Sequence, residues 1–193
     1  MAIRTRHVLG LDVSLSSTGV AHLYYDPAGG EWFHDVCTLP TAPTGNNPSA
    51  LRDRMALLRT KVAEAATSAD LIVIEGGAFM TKTAHAHTLA GVWWLIYDKL
   101  IRMETAPVVV IPPAQLKKFI TGKGSAGKIA VAAEVARAWP SINIGNSGDI
   151  CDALGLATIG AAIMGLPQPL ELNDGRGMVL ASRPGLEEMG IAV

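Results

Sequence analysis

Apolar runs broken by turn-forming residues divide this chain into elements. His7-Val-Leu-Gly-Leu-Asp12 is apolar up to its last residue and predicts a first strand over 7–13. A polar turn, Ser14-Leu-Ser-Ser-Thr18, follows, and 18–25 alternates as a second strand. Pro27-Ala-Gly-Gly30 predicts a hairpin turn into a third strand over 31–39. A loop rich in Pro, Thr, Asn and Gly runs to Pro48. Leu51, Met55, Leu58, Val62 and Ala65 then recur at helical spacing over 49–68. Leu71-Ile-Val-Ile-Glu75 is apolar until Glu75, as in a central parallel strand buried on both faces. After a loop over 76–82, a long helix over 83–103 holds Trp93 and Trp94, whose adjacency puts them on different faces.

The second half continues with a strand over 107–111 and a short helix over 113–120. A glycine-rich segment over 122–127 leads to a helix over 128–139, and a further apolar helix starts near Asp149. Beyond Pro167 the pattern weakens, so 168–193 is expected to be an irregular or partly ordered tail behind one domain over 1–167. This order predicts an α/β fold with a five-stranded mixed sheet, three antiparallel strands then two parallel ones, flanked by helices.

A length of 193 residues, 49% of them hydrophobic and 17% charged, suits one compact domain with a sizeable core. The net charge of −1 names no partner. Local charge is more informative: between Pro112 and Arg137, Lys117, Lys118, Lys123, Lys128 and Arg137 face Glu134 alone. The two cysteines, Cys37 and Cys151, form no disulfide framework and no Cys-x-x-Cys pair. The basic N-terminus leads into a strand that carries Asp12 rather than into a signal peptide. The longest apolar stretch, 153–167, is about 15 residues and too short to span a bilayer. The chain is therefore expected to be soluble and cytoplasmic, with no membrane partner.

Four acids change the picture. Asp12 and Glu75 close apolar strands, and Asp149 and Asp152 sit three apart at the start of an apolar helix. An acid at the end of a buried strand is costly unless something compensates it. Each has a structural explanation alone; Asp149, for example, suits a helix start through capping or the helix dipole. Together they point to one sheet edge, where a divalent cation with oxygen ligands would offset their charge and support phosphoryl-transfer chemistry.

Five segments carry a family likeness: Gly10-Leu-Asp12-Val-Ser14 with Thr18-Gly19, Val73-Ile-Glu75 with Phe79-Met80, Gln115-Leu-Lys117, Gly122-x-Gly-Ser-Ala-x-Lys128, and Asp149-x-x-Asp152-Ala-Leu154. In this order and at these spacings the chain resembles the RuvC-type Holliday junction resolvases of the ribonuclease H-like superfamily, over 7–165. The resemblance implies that Asp12, Glu75, Asp149 and Asp152 hold two Mg2+ ions, with Mn2+ able to substitute. It implies that Lys128 lies by the scissile phosphate and Lys117 near the DNA backbone. Lys82, Lys118 and Lys123 join them as expected DNA contacts. Phe79 would stack on bases at the junction centre, although the family aromatic comes one residue sooner. Val13-Ser14 stands where a Pro-Gly pair is common, which should alter the turn and leave the ligand. A homodimer would form through the long helix, with Leu89, Val92, Trp93 and Ile96 as its apolar contact, unless they face the domain's own core, as some of them must. The implied activity is resolution of four-way DNA junctions, leaving 5′-phosphate and 3′-hydroxyl ends. A flap, fork or RNA-processing nuclease, a silent nucleic-acid-binding homologue and an ATP-binding protein are the alternatives.

Other motifs weigh less. Gly122-Lys-Gly-Ser-Ala-Gly-Lys128 matches most of a nucleotide-binding P-loop, but Ile129 stands where a Ser or Thr must meet magnesium. The Asp12 turn resembles the phosphate loop of actin-like ATPases, which need a second similar domain. No nucleotide cofactor is expected. His85 and His87 are two apart on a helix and point away from each other.

Overall fold

The computed structural model describes residues 4–43, 45, 47–77, 86–145 and 147–181. Its sheet has five strands: β1 (Arg6–Asp12), β2 (Ser17–Asp26), β3 (Glu31–Pro40), β4 (Leu71–Glu75) and β5 (Val108–Ile111). They lie in the order β3-β2-β1-β4-β5. β1 pairs antiparallel with β2, and β2 antiparallel with β3. β1 runs parallel to β4, and β4 parallel to β5. This is the mixed sheet expected from the hydrophobic pattern, with strand limits within about a residue of the apolar runs.

Side chains alternate across the central strands and feed two cores. Leu9, Leu11, Ile72 and Ile74 face α1 (Pro48–Ala66) and α2 (Ala86–Met103). Val8, Leu71 and Val73 face α3 (Pro113–Thr121), α4 (Lys128–Ala138) and α5 (Gly148–Ile163). The helices therefore cover both faces of β1 and β4, which explains why these strands are apolar at nearly every position.

Helix α5 is apolar all round and buried at every position from Ala153 to Ile163, as a helix with no polar stripe must be. It lies unusually close to the sheet. A Cβ at Gly10 would overlap the Ala153 carbonyl oxygen, and one at Gly19 would overlap that of Asp149. Glycine at these two positions lets backbone rest on backbone.

The C-terminal stretch is partly ordered. Beyond Pro167, Asp174–Ala181 forms a helix, α6, packed against α3, which the sequence pattern does not mark. Leu170 and Val179 are buried in the core. Eight residues with one buried side chain give too weak a periodic signal to read, and tertiary contacts hold the helix instead. Among the described residues, no helix is long and apolar enough to cross a membrane.

Candidate active site

Parallel pairing of β1 and β4, with Leu11 opposite Ile74, brings their C-terminal residues Asp12 and Glu75 out side by side. The indole N–H of Trp93 donates to the Glu75 carbonyl oxygen at 2.7 Å, and Gly76 N–H donates to Ile111 O at 2.8 Å. Both bonds fix the strand end that presents the Glu75 carboxyl. After Asp12 the turn closes on itself. Ser14 Oγ donates to Ser17 O at 2.8 Å, and Thr18 Oγ1 donates to Ser14 O at 2.7 Å. This serine–threonine turn closes directly behind Asp12 at the strand end.

The start of α5 supplies the other two acids. Gly19, the register partner of Asp12, receives the Asp149 backbone, so the helix begins directly over the Asp12 strand end. Ser147 is the cap, its hydroxyl accepting from Ile150 N–H at 3.3 Å. Asp149 is therefore not needed for capping. Asp149 and Asp152, at i and i+3, share a helix face.

The four acids act on one another. Burial comes first in raising Asp12 from 3.8 to about 7, followed by the charges of Asp152 and Asp149, with Lys128 pulling it back. Glu75 is raised from 4.5 to about 8, by burial first and then by Asp12 and Asp152. The hydrogen bond between the Asp12 and Glu75 carboxyls requires one of the two to carry a proton, which the pair shares. Burial also raises Asp152, against the opposing pull of Lys128 and Lys117. Two lysines thus act on the acid cluster from α3 and the start of α4, without forming a close ion pair with any of the four.

This donor set suits a hard divalent cation. All four groups offer carboxylate oxygens, which match Mg2+ or Mn2+ rather than softer metals. Among the described residues, no three His, Cys, Asp or Glu side chains converge as a ready-made cage. Mg2+ typically binds through one or two carboxylates together with waters and substrate phosphate oxygens. The half-buried acids at this sheet edge fit that mode. A pocket lined by Val13, Ser14, Glu75 and Trp93, among others, opens beside Glu75.

The remaining expected residues divide. Lys117 and Lys118 are half-buried on α3, and Lys123 and Lys128 are exposed along the following loop and helix start. Phe79 and Lys82 lie outside the described residues, as does His85. The expected dimer contact needs correction. Val92, Trp93 and Ile96 are buried in the domain's own core, packed with Leu58 and Val62 of α1. Of that set only Leu89 is exposed, and the outward face of α2 is completed by Trp94 and Ile101. Helical spacing marks an apolar stripe but does not say which neighbour covers it. The P-loop likeness also fails in context, because Gly122 ends a helix instead of following a strand. Sequence reasoning missed Trp93 as a support for Glu75, because a contact between residues 18 apart leaves no local signature.

No protein-family profile and no curated protein matches the chain. Solved structures do. Thermus thermophilus RuvC is 20% identical, with a TM-score of 0.64, over 85% of this chain and 99% of that one. The fold is that of RuvC. T. thermophilus RuvC in complex with a Holliday junction substrate matches at 20% identity and a TM-score of 0.66, over 86% of this chain and 99% of that one. The fowlpox virus Holliday junction resolvase matches at 13% identity and a TM-score of 0.45, over 78% and 94% of the two chains. RuvC is thus matched almost end to end, while part of the present chain extends beyond the match.

Proposed function

We propose that this protein is a metal-dependent endonuclease that resolves four-way DNA junctions. One observation carries the reading: Asp12, Glu75, Asp149 and Asp152 interact at one sheet edge with Lys128 and Lys117 acting on them, within a RuvC fold. The four carboxylates would hold two Mg2+ ions. When bound, such ions supply Lewis-acid activation of water and charge neutralisation at the departing 3′ oxygen of an in-line displacement. Lys128 and Lys117 bring positive charge to where a scissile phosphate gathers negative charge. Cation binding would displace the proton shared by Asp12 and Glu75, so metal affinity rises with pH.

The phosphate would leave on the 5′ end of one product strand and a hydroxyl on the 3′ end of the other. Two symmetric cuts need two sites, which a two-fold dimer supplies. Leu89, Trp94 and Ile101 on the outward face of α2 are the apolar groups available for that contact. A DNA substrate places the protein with intracellular DNA.

The test is a substrate panel: labelled four-way junction, flap, fork and linear duplex, each with Mg2+, with Mn2+ and with EDTA. Paired symmetric nicks on the junction, rejoined by DNA ligase and absent with EDTA, are the expected result. Cleavage confined to flaps or forks would move the substrate class. Tight binding without cleavage under any metal would overturn the enzymatic reading.

A further inference from the structure

Helix α6 reaches across to α3 through one side chain. Arg176 Nε donates to Phe119 O at 2.7 Å and Nη2 donates to Ile120 O at 3.2 Å. The third guanidinium nitrogen, Nη1, donates to Glu171 O at 2.5 Å and ties the approach to α6 into the same knot. Phe119 and Ile120 belong to the last turn of α3, whose carbonyls lack helical N–H partners. A cation at that end also opposes the negative pole of the helix dipole. Asn173 sets up the arginine by accepting from Arg176 N–H at 3.1 Å through its side chain.

What α3 carries makes this capping consequential. Leu116, Phe119 and Ile120 anchor one side of the helix in the core, and Lys117 on another side acts electrostatically on Glu75 and Asp152. The end that Arg176 holds is also where Gly122 turns the chain at φ 80° into the loop leading to Lys128. We infer that Arg176 is a positioning residue for the nuclease reaction, holding the end of α3 so that Lys117 and the loop to Lys128 stand over the acids. The inference rests on the endonuclease reading and assigns a role to a segment that falls outside the family resemblance.

The test is single-turnover cleavage of a four-way junction at saturating protein, alongside junction affinity and thermal melting. The variants are Arg176→Ala, Arg176→Lys, Lys117→Ala and the Arg176→Ala/Lys117→Ala double. Misplacing a charged group by about 1 Å costs on the order of 10- to 100-fold in rate, and Arg176→Ala should lose that much with little change in affinity. Arg176→Lys keeps the charge but cannot span two carbonyls, so it should fall between wild type and alanine. It also serves if the alanine variant does not fold. The two alanine substitutions should be non-additive, since both act through the Lys117 ammonium. Unchanged rate per folded molecule with only a lower melting temperature would overturn the inference, as would full additivity with Lys117→Ala. Absence of cleavage by the wild-type protein would remove the endonuclease reading itself, and this inference with it.

Discussion

Strand β1 carries a polar group near each end, buried His7 and half-buried Asp12, and the two ends are built on opposite plans. At its start, His7 N–H donates to Asp70 Oδ2 at 2.8 Å, and Asp70 also pairs with Arg4. The His7 ring shares a hydrogen bond with His22 at 2.9 Å, faces Ser68 Oγ at 3.3 Å and stacks on Tyr24 at 4.3 Å between centroids. At its finish, Asp12 meets three other acids. Its hydrogen bond is to Glu75, another acid, and Lys128 reaches it only through space. The first end is satisfied from within the fold. The second gathers acids that raise one another's pKa, with no close ion pair from the fold, an arrangement that the proposed cation would relieve. Both groups are polar and withdrawn from solvent, and what separates the two ends is whether the fold supplies a partner other than another acid.

The comparison breaks most visibly in activity. Asp12→Asn should lower junction cleavage by roughly 10³-fold, the upper range for removing one group that stabilises transition-state charge, while leaving junction binding near wild type. Asp70→Ala, at the other end of the same strand pair, should leave cleavage per folded molecule unchanged. A similar loss of cleavage from both substitutions would show that the two ends are not distinct. Next comes Gly19→Ala. The added methyl has no room against the Asp149 carbonyl, so the start of α5 must shift. Overpacking of this kind costs about 1–3 kcal/mol, and cleavage should fall with it, unlike a core substitution remote from Asp149.

Asp70→Ala itself should cost about 1–3 kcal/mol in urea unfolding, because it strands the buried His7 N–H. The smallest effect is in pH dependence, and the two ends have opposite signs. Asp12 and Glu75 are raised, so the folded chain holds their protons between about 4 and about 8 while the unfolded chain does not. Metal-free stability from this end is full below about pH 4 and is lost as pH rises through 7 to 8. Burial lowers His7 and His22 below 6.5, so their end loses stability as pH falls beneath that value. In metal-free melts the two ends should therefore oppose each other below pH 6.5, leaving a decline above it that Asp12→Asn should flatten.

The sequence made one end of this comparison far easier to read than the other. Asp12 and Glu75 interrupt apolar runs at their last positions, so strand limits, parallel pairing and converging acids all follow from local pattern. The partnering of His7 depends on Asp70, Ser68 and His22, which meet it only after folding. The same holds for the Gly19–Asp149 approach and the Trp93 bond to Glu75. Helix α2 shows the limit clearly. The resemblance implied a contact surface there, with the domain's own core as the alternative, and Val92, Trp93 and Ile96 are taken by that core, leaving Leu89 and Trp94 outside. Arg176 is the extreme case, with partners 56 and 57 residues away.

The most direct test of the central claim is titration of the DNA-free protein with Mn2+ at neutral pH, followed by electron paramagnetic resonance and by proton release. Wild type and Asp70→Ala should bind Mn2+ alike, with protons leaving the Asp12–Glu75 pair as the ion enters. Asp12→Asn and Glu75→Gln should lose most of that binding and release fewer protons. Equal Mn2+ binding by wild type and by both acid-edge variants would contradict the account.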